Sequence, residues 1–223
     1  MTEPKKTLVC WSSGKDSAWT LHALGQRTDI EVVGLLTTIN AMHERVSMHA
    51  VRADLLRAQA RAIGLPVLVV PIPDPCSNEQ YASAMDQALD TARHNDVSCV
   101  AFGDLFLEDV RRYREDQLQG TGLTPLFPLW GTPTRELAER MVASGLQALL
   151  TCVDPRQIDR SFAGREFNRQ LLDALPSTAD PCGERGEFHT FVYAGPMLKE
   201  AVRTRTGDIV ERGGFVFADV MPE

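Results

Sequence analysis

Two short polar stretches carry the residues with chemistry to offer. The first, Ser12-Ser13-Gly14-Lys15-Asp16-Ser17, stands between the apolar run TLVCW and a helix-patterned run. The first amides of a helix have no partner within it, and the helix dipole favours negative charge there, so such a turn can surround an anion. Gly14 would let the backbone approach that anion closely, Lys15 adds a point charge and Ser17 a hydroxyl. The same residues also make an ordinary helix start, with Ser12 or Ser13 as N-cap and Asp16 in the first turn. Spacing alone leaves the two readings even. A Walker A loop is ruled out, because Lys15 is followed by Asp16 rather than Ser or Thr. The second stretch is Gly183-Glu184-Arg185-Gly186-Glu187-Phe188-His189-Thr190. Two glutamates three apart around Gly186, followed by His189, can orient ammonia, take a proton or bind a metal. Taken alone, the stretch reads as a polar turn before the strand-like FHTFVY.

These residues need elements to hold them. In the first half, four apolar runs (TLVCW near 7–11, EVVGLLTTI near 31–39, PVLVVPI near 66–72, SCVAFG near 98–103) alternate with helix-patterned segments at 16–24, 49–64, 78–96 and 107–120. That is the rhythm of a parallel sheet built from βαβ units, with Val51, Leu55, Ala58 and Ala62 as a covering face of the second helix. Ligands of such sheets sit beyond the carboxyl ends of the strands, where both Ser12–Ser17 and the pair Gly103 and Asp104 fall. Asp104 could hold Mg²⁺ as an oxygen ligand or cap the helix beginning near Leu107. Residues 121–131, TGLTPLFPLWG, break the alternation, which predicts domains at 1–124 and 125–223. In the second half, helices are expected at 134–145 and 164–174, a strand at 146–153, and antiparallel strands over 202–220 around turns at TGD and RGG. The expected fold is therefore α/β, with a parallel-sheet domain followed by a smaller α+β domain.

Composition narrows the partners. At 223 residues and 43% hydrophobic the chain has ample material for a core. A net charge of -7 argues against broad capture of nucleic acid or anionic membrane. The five cysteines are scattered with no C-x-x-C pair, which fits reduced thiols, and no segment approaches the roughly 20 apolar residues of a membrane span. A cytoplasmic protein is expected, with the C-terminal strand edges able to support a homodimer.

SSGKDS resembles S-G-G-x-D-S, the pyrophosphate loop of ATP pyrophosphatases related to the adenine nucleotide alpha hydrolases, with Ser13 in place of the first Gly. Together with HAVRADLLRAQARAIGLPV, FGDLFLEDVRRYRE, PLWGTPTRELAERMVASGLQALLTCVD and DPCGERGEFHTFVYAGPM, it resembles the diphthine-ammonia ligase family over nearly the whole chain. The resemblance implies a Rossmann-like, HUP-type ATP-binding domain followed by a substrate-binding domain. It also implies that Ser12, Ser13, Gly14, Lys15, Asp16, Ser17 and Gly103 hold ATP, and that Thr38, Ile39 and His49 read its adenine. His49 could equally be a surface residue near a helix start. Asp104 is the expected Mg²⁺ ligand. Lys15, Asp104, Glu184, Glu187 and His189 are expected to act in catalysis, and Arg112, Glu115, Gly164, Arg165 and Gly186 to contact substrate. Arg165 could clamp a carboxylate or phosphate, or sit on a helix surface.

The implied reaction is amide formation: a carboxylate attacks the α-phosphorus of ATP, pyrophosphate leaves, and ammonia displaces AMP from the acyl-adenylate. With no glutaminase-like segment, ammonia would be free or come from a separate donor. The diphthine-making members carry E-G-G-E-aromatic-E where this chain has Glu184 to His189. The G-E-x-G-E-F-H form resembles a branch suggested to act on other carboxylates, corrinoids among them, so the acceptor is a small molecule or a protein side chain. Two rival functions are compatible with such a loop, a tRNA-modifying pyrophosphatase and a non-catalytic nucleotide sensor. Acidic charge and the absence of C-x-x-C pairs or an added RNA-binding domain count against the first.

Overall fold

A computed structural model describes residues 3–42, 45–46 and 51–223. The first sheet contains β1 (Lys5–Cys10), β2 (Ile30–Asn40), β3 (Arg45–Val46), β4 (Val67–Ile72), β5 (Cys99–Ala101) and β6 (Thr124–Leu126). Its order is β3-β2-β1-β5-β6, with β4 also on β2. All pairings are parallel except the short β2–β3 pair, so the sheet is mixed but mainly parallel. The helices connecting these strands are α1 (Lys15–Leu24), α2 (Ala53–Ile63), α3 (Asn78–His94) and α4 (Glu108–Leu118). This is a Rossmann-like α/β arrangement. Chain order reverses at β1, which has β2 on one side and β5 on the other, and a crevice opens between their carboxyl ends.

Successive strand residues face opposite sides, and both sides of this sheet are covered. Val9, Leu35 and Ala101 enter one core with α1, α2 and the second half of the chain. Leu8, Leu36 and Val100 enter another beneath α3 and α4. That is why the strands read as unbroken apolar runs. A side chain such as fully buried Leu35 or Leu55 contributes about 2 kcal/mol by its burial.

The second sheet is antiparallel, in the order β8-β7-β10-β9, from β7 (Gln147–Val153), β8 (Phe188–Ala194), β9 (Thr204–Arg212) and β10 (Phe215–Pro222). α5 (Thr134–Ala143) and α6 (Arg169–Ala174) accompany it. Two local expectations need correction. The expected turn at TGD does not form: β9 continues through Gly207, where its register against β10 shifts and an added Cβ would lie 2.6 Å from Cε of Met221 across the pair. The chain reverses only at Gly213 and Gly214, both in the left-handed region (φ 60° and 81°) that this tight turn requires. The helix expected at 164–174 starts only at Arg169. Gly164 takes φ 80°, the segment after it hydrogen-bonds to β7, and Asn168 caps the later start by accepting from the Leu171 amide at 3.0 Å. The edge strand β6 lies in the stretch expected to separate two domains, and the 124/125 division falls inside it.

One apolar core runs from the α1 and α2 face of the first sheet into the second. Its polar seam is built around Gln59 of α2, which is fully buried. The Gln59 Nε2 donates to the Ser13 carbonyl at 3.1 Å and the Val192 carbonyl at 2.6 Å, while its Oε1 accepts from Trp11 Nε1 at 3.0 Å. Among the described residues, no helix is long and apolar enough to cross a membrane.

Candidate active site

The crevice is a cleft of about 450 Å³ whose walls come from both halves of the chain. Ser12, Gly14, Lys15, Asp16 and Ser17 line one side, and Gly183, Glu184, Gly186, Phe188, His189 and Thr190 face them. Thr37 and Thr38 at the end of β2, and Gly103 and Asp104 after β5, complete it. Strand β8 runs beside the loop and holds it: the Val192 amide donates to the Ser13 carbonyl at 3.0 Å, and the Lys15 amide to Thr190 Oγ1 at 3.0 Å.

Neither Ser12 nor Ser13 caps α1. Gly14 is the N-cap and provides no side-chain acceptor, so Thr190 from β8 satisfies one first-turn amide instead. Ser12 and Ser17 brace the turn through their hydroxyls (3.2 Å), and Ser17 also donates to the Gly14 carbonyl at 2.9 Å. The first helical hydrogen bond is made by the Ala18 amide, to Gly14, which leaves earlier amides at the anion-attracting end of the helix. Ser13 is buried at φ 68°, a left-handed conformation open to glycine without strain, and its hydroxyl has no hydrogen-bond partner.

Lys15 is 2% exposed. Its ammonium donates to both Asp16 carboxylate oxygens (3.0 and 2.8 Å) and to the Cys182 carbonyl, lying 5.4 Å from the Phe188 ring centre. Burial disfavours its charge, but the Asp16 carboxylate, assisted by Cys182 and Glu184, outweighs this and raises its pKa above the ordinary lysine value. The charge therefore lies beneath the loop and ties it to the segment before β8.

The carboxylates differ. Glu184 faces the cleft and accepts from the Leu105 amide at 2.7 Å, joining the C-terminal loop to the one after β5. Burial, together with Asp16 and Asp104, pushes its pKa up to about 7 against the hydrogen bond from Leu105. Glu187 is 1% exposed and does not line the cleft; its oxygens accept from the amides of Asp180 (2.7 Å) and Arg185 (2.9 Å) and shape the loop from within. His189 lines the cleft, where burial and then Lys15 push its pKa down to about 4, so its imidazole is neutral near pH 7. Asp104 does not cap α4, whose N-cap is Leu107 with no side-chain hydrogen bond. Its Oδ2 is buried without a hydrogen-bond partner, and burial raises its pKa.

Other expected residues fall elsewhere. Ile39 is only partly buried against the main core and does not line the cleft. Arg112 and Glu115 are exposed, and Glu115 pairs with Arg111 at 2.8 Å. Gly164 and Arg165 lie against the second sheet, with the Arg165 guanidinium 4.5 Å from the Phe162 ring centre. His49 lies outside the described residues. Conversely, spacing does not single out Arg114, Tyr81 or Gln59, and Thr190 is marked only as the end of the second polar stretch. Arg114 is one of seven charged residues on the helix-patterned segment 107–120, and Gln59 a polar residue within 49–64. The packing of α3, α4 and β8 around the crevice singles out Arg114, Tyr81 and Thr190, and the contact of α2 with the loop and β8 singles out Gln59. Among the described residues, no group of three His, Cys, Asp or Glu side chains is placed to hold one metal ion.

Known proteins match this architecture in two consecutive pieces. The family model described as the diphthamide synthase N-terminal domain matches residues 5–125, and the C-terminal domain of the same synthase matches residues 133–216. A diphthine-ammonia ligase of Schizosaccharomyces pombe is 26% identical over 225 residues, covering 92% of this chain but 37% of its own length. One from Bos taurus is 25% identical over 190 residues, covering 80% of this chain and 71% of its own. One from Rattus norvegicus is 29% identical over 120 residues, covering 51% and 45%. The chain thus spans well under half of the yeast relative. With both pieces matched in order, at 5–125 and 133–216, the chain belongs to the diphthamide synthase family.

Proposed function

We propose that the chain is an ATP-dependent ligase that converts a substrate carboxylate to an amide with ammonia, releasing AMP and pyrophosphate. The observation that carries this reading is the single cleft shared by Ser12–Ser17 and Gly183–Thr190, a helix N-terminus facing an ionisable loop. The relatives named diphthine-ammonia ligase support the same reaction class. In this reading the first sheet with its helices binds the nucleotide, and the second contributes the wall that meets the acceptor, a diphthine-like side chain, a corrinoid or another acid.

Bound ATP supplies the electrophilic α-phosphorus and a nucleotide leaving group, without which a carboxylate oxygen departs poorly. The first-turn amides of α1 and the hydroxyls of Ser12 and Ser17 hold the phosphates, with Thr37 and Thr38 toward the nucleoside. Lys15 adds charge from beneath and keeps Asp16 and the Cys182 carbonyl in place. The buried, unpartnered Oδ2 of Asp104 suits Mg²⁺, a hard cation commonly shared between one or two carboxylates and phosphate oxygens. Glu184 is the base toward ammonium, because its pKa of about 7 combines a usable ionised fraction with proton affinity. His189 offers a neutral imidazole for hydrogen bonding, and Glu187 is a positioning residue for the loop.

The test incubates the protein with Mg²⁺, ATP, ammonium and a panel of carboxylic acids, and measures AMP and pyrophosphate. Release that requires one acid and yields its amide is the expected result. Nucleotide binding with no AMP from any acid would refute the ligase reading and favour a nucleotide sensor.

A further inference from the structure

On the opposite wall from the phosphate loop, α3 and α4 contribute a second, largely apolar part of the cleft. Tyr81, Met85, Leu107 and Val110 line it, and one cation, Arg114, stands among them. The Arg114 guanidinium lies 5.2 Å from the Phe102 ring centre and 5.8 Å from that of Tyr113. Its Nε is buried without a hydrogen-bond partner. The nearest carboxylate, Asp104, lies 3.9 Å from that Nε, close enough to attract but beyond hydrogen-bond length, and its Oδ2 is likewise unpartnered. The other lysine or arginine of the cleft, Lys15, already donates to Asp16 and Cys182.

Three acidic side chains, Asp16, Asp104 and Glu184, also face the cleft and would repel an incoming carboxylate. Nε itself is closed off, so an incoming carboxylate on a carbon skeleton would meet the terminal nitrogens of this planar guanidinium, whose side chain is partly exposed among apolar neighbours. The polyphosphate is provided for across the cleft, where the N-terminus of α1 lies. We propose that Arg114 receives the carboxylate of the acceptor and distinguishes it from the carboxamide product. Amidation removes the charge that the guanidinium holds, so the product loses its principal anchor and leaves. This inference rests on the ligase reading for its substrate, but its test does not require turnover.

Calorimetric titration of the protein loaded with α,β-methylene ATP and Mg²⁺ compares hexanoate with hexanamide and benzoate with benzamide. The acids are expected to bind more tightly than their amides by about tenfold or more, as a charge-assisted hydrogen bond supplies. Arg114→Gln should erase that preference while the nucleotide analogue binds within about threefold of wild type. Arg114→Lys, which keeps the charge but not the planar fork, should retain only part of it and serves if Arg114→Gln does not fold. Absence of an acid-over-amide preference in the wild type, including absence of binding by either, overturns the proposal. So does a preference that survives both substitutions, or a nucleotide affinity that falls tenfold in Arg114→Gln with the preference intact, which would place phosphate there instead. Parallel AMP measurements keep the two readings separate: acid selectivity lost in Arg114→Gln without AMP from any acid would sink the ligase reading alone.

Discussion

Ser13→Gly should stabilise the protein, which is unusual for a substitution in a buried loop. Ser13 is buried at φ 68° with its hydroxyl unpartnered. A side chain in the left-handed region costs about 1–2 kcal/mol, and an unpaired buried hydroxyl about 1–3 kcal/mol. Glycine removes both. Against this stand a greater entropy loss on folding, about 0.5–1 kcal/mol, and the lost burial of one carbon, about 0.8 kcal/mol. The balance favours glycine by about 1 kcal/mol or somewhat more, equivalent to about 2–4 °C in Tm per kcal/mol for a chain of this size. The Ser13 carbonyl, which accepts from Val192 and Gln59, is untouched by the change. Urea denaturation followed by circular dichroism, with calorimetric Tm as a second measure, would read the effect. A midpoint that falls, or stays put with an unchanged slope, refutes the strain argument and means that Ser13 is a well-satisfied residue.

Gln59→Leu leaves the Trp11 indole N–H and the Val192 carbonyl without their present partner, and should destabilise by about 3 kcal/mol in the same denaturation assay. Gly103→Ala would put a Cβ 3.0 Å from the Asp16 backbone, so it should weaken binding of an ATP analogue about tenfold by shifting the start of α1. Glu184 has its pKa raised from 4.5 to about 7, so between these values the folded state binds more protons than the unfolded state. Stability from this group is therefore present below pH 4.5 and lost as pH rises through about 7, and Glu184→Gln should flatten that slope in denaturation at pH 4.5–8. The same substitution should abolish a rise in amide formation centred near pH 7, whereas His189, with a pKa of about 4, adds no limb near 6.5.

The alternation of apolar runs and helix patterns was enough to find α1, α2, α3, α4 and the strands β1, β2, β4 and β5, because both faces of a parallel sheet are buried and each strand must be apolar throughout. Short elements escaped. β3 has only two residues and β6 lies in the Gly- and Pro-rich run 121–131 that reads as a break; both exist because neighbouring strands offer them hydrogen bonds. Gly207 is ambiguous for a related reason: a glycine signals either a turn or a close approach, and only the strand opposite, with Met221, decides between them. In the site, the polar loops could be read because Gly, Ser, Lys and Asp cluster where apolar residues stop. Which of their side chains reach the cleft could not.

Local order of residues determined the α/β architecture, the polar turn after the first strand and the ionisable loop before β8, since each depends on neighbours a few positions away. Direction of each side chain was decided only by tertiary packing. Glu184 and Glu187 are three residues apart with the same carboxylate, yet one meets the cleft with a pKa of about 7 while the other is enclosed by the amides of Asp180 and Arg185. Arg112 and Arg114 share a helix, and only the one packed on Phe102 lines the cleft. Burial and hydrogen-bond partners set a group's charge and reach, and here they come from segments as far apart in sequence as Lys15 and Thr190.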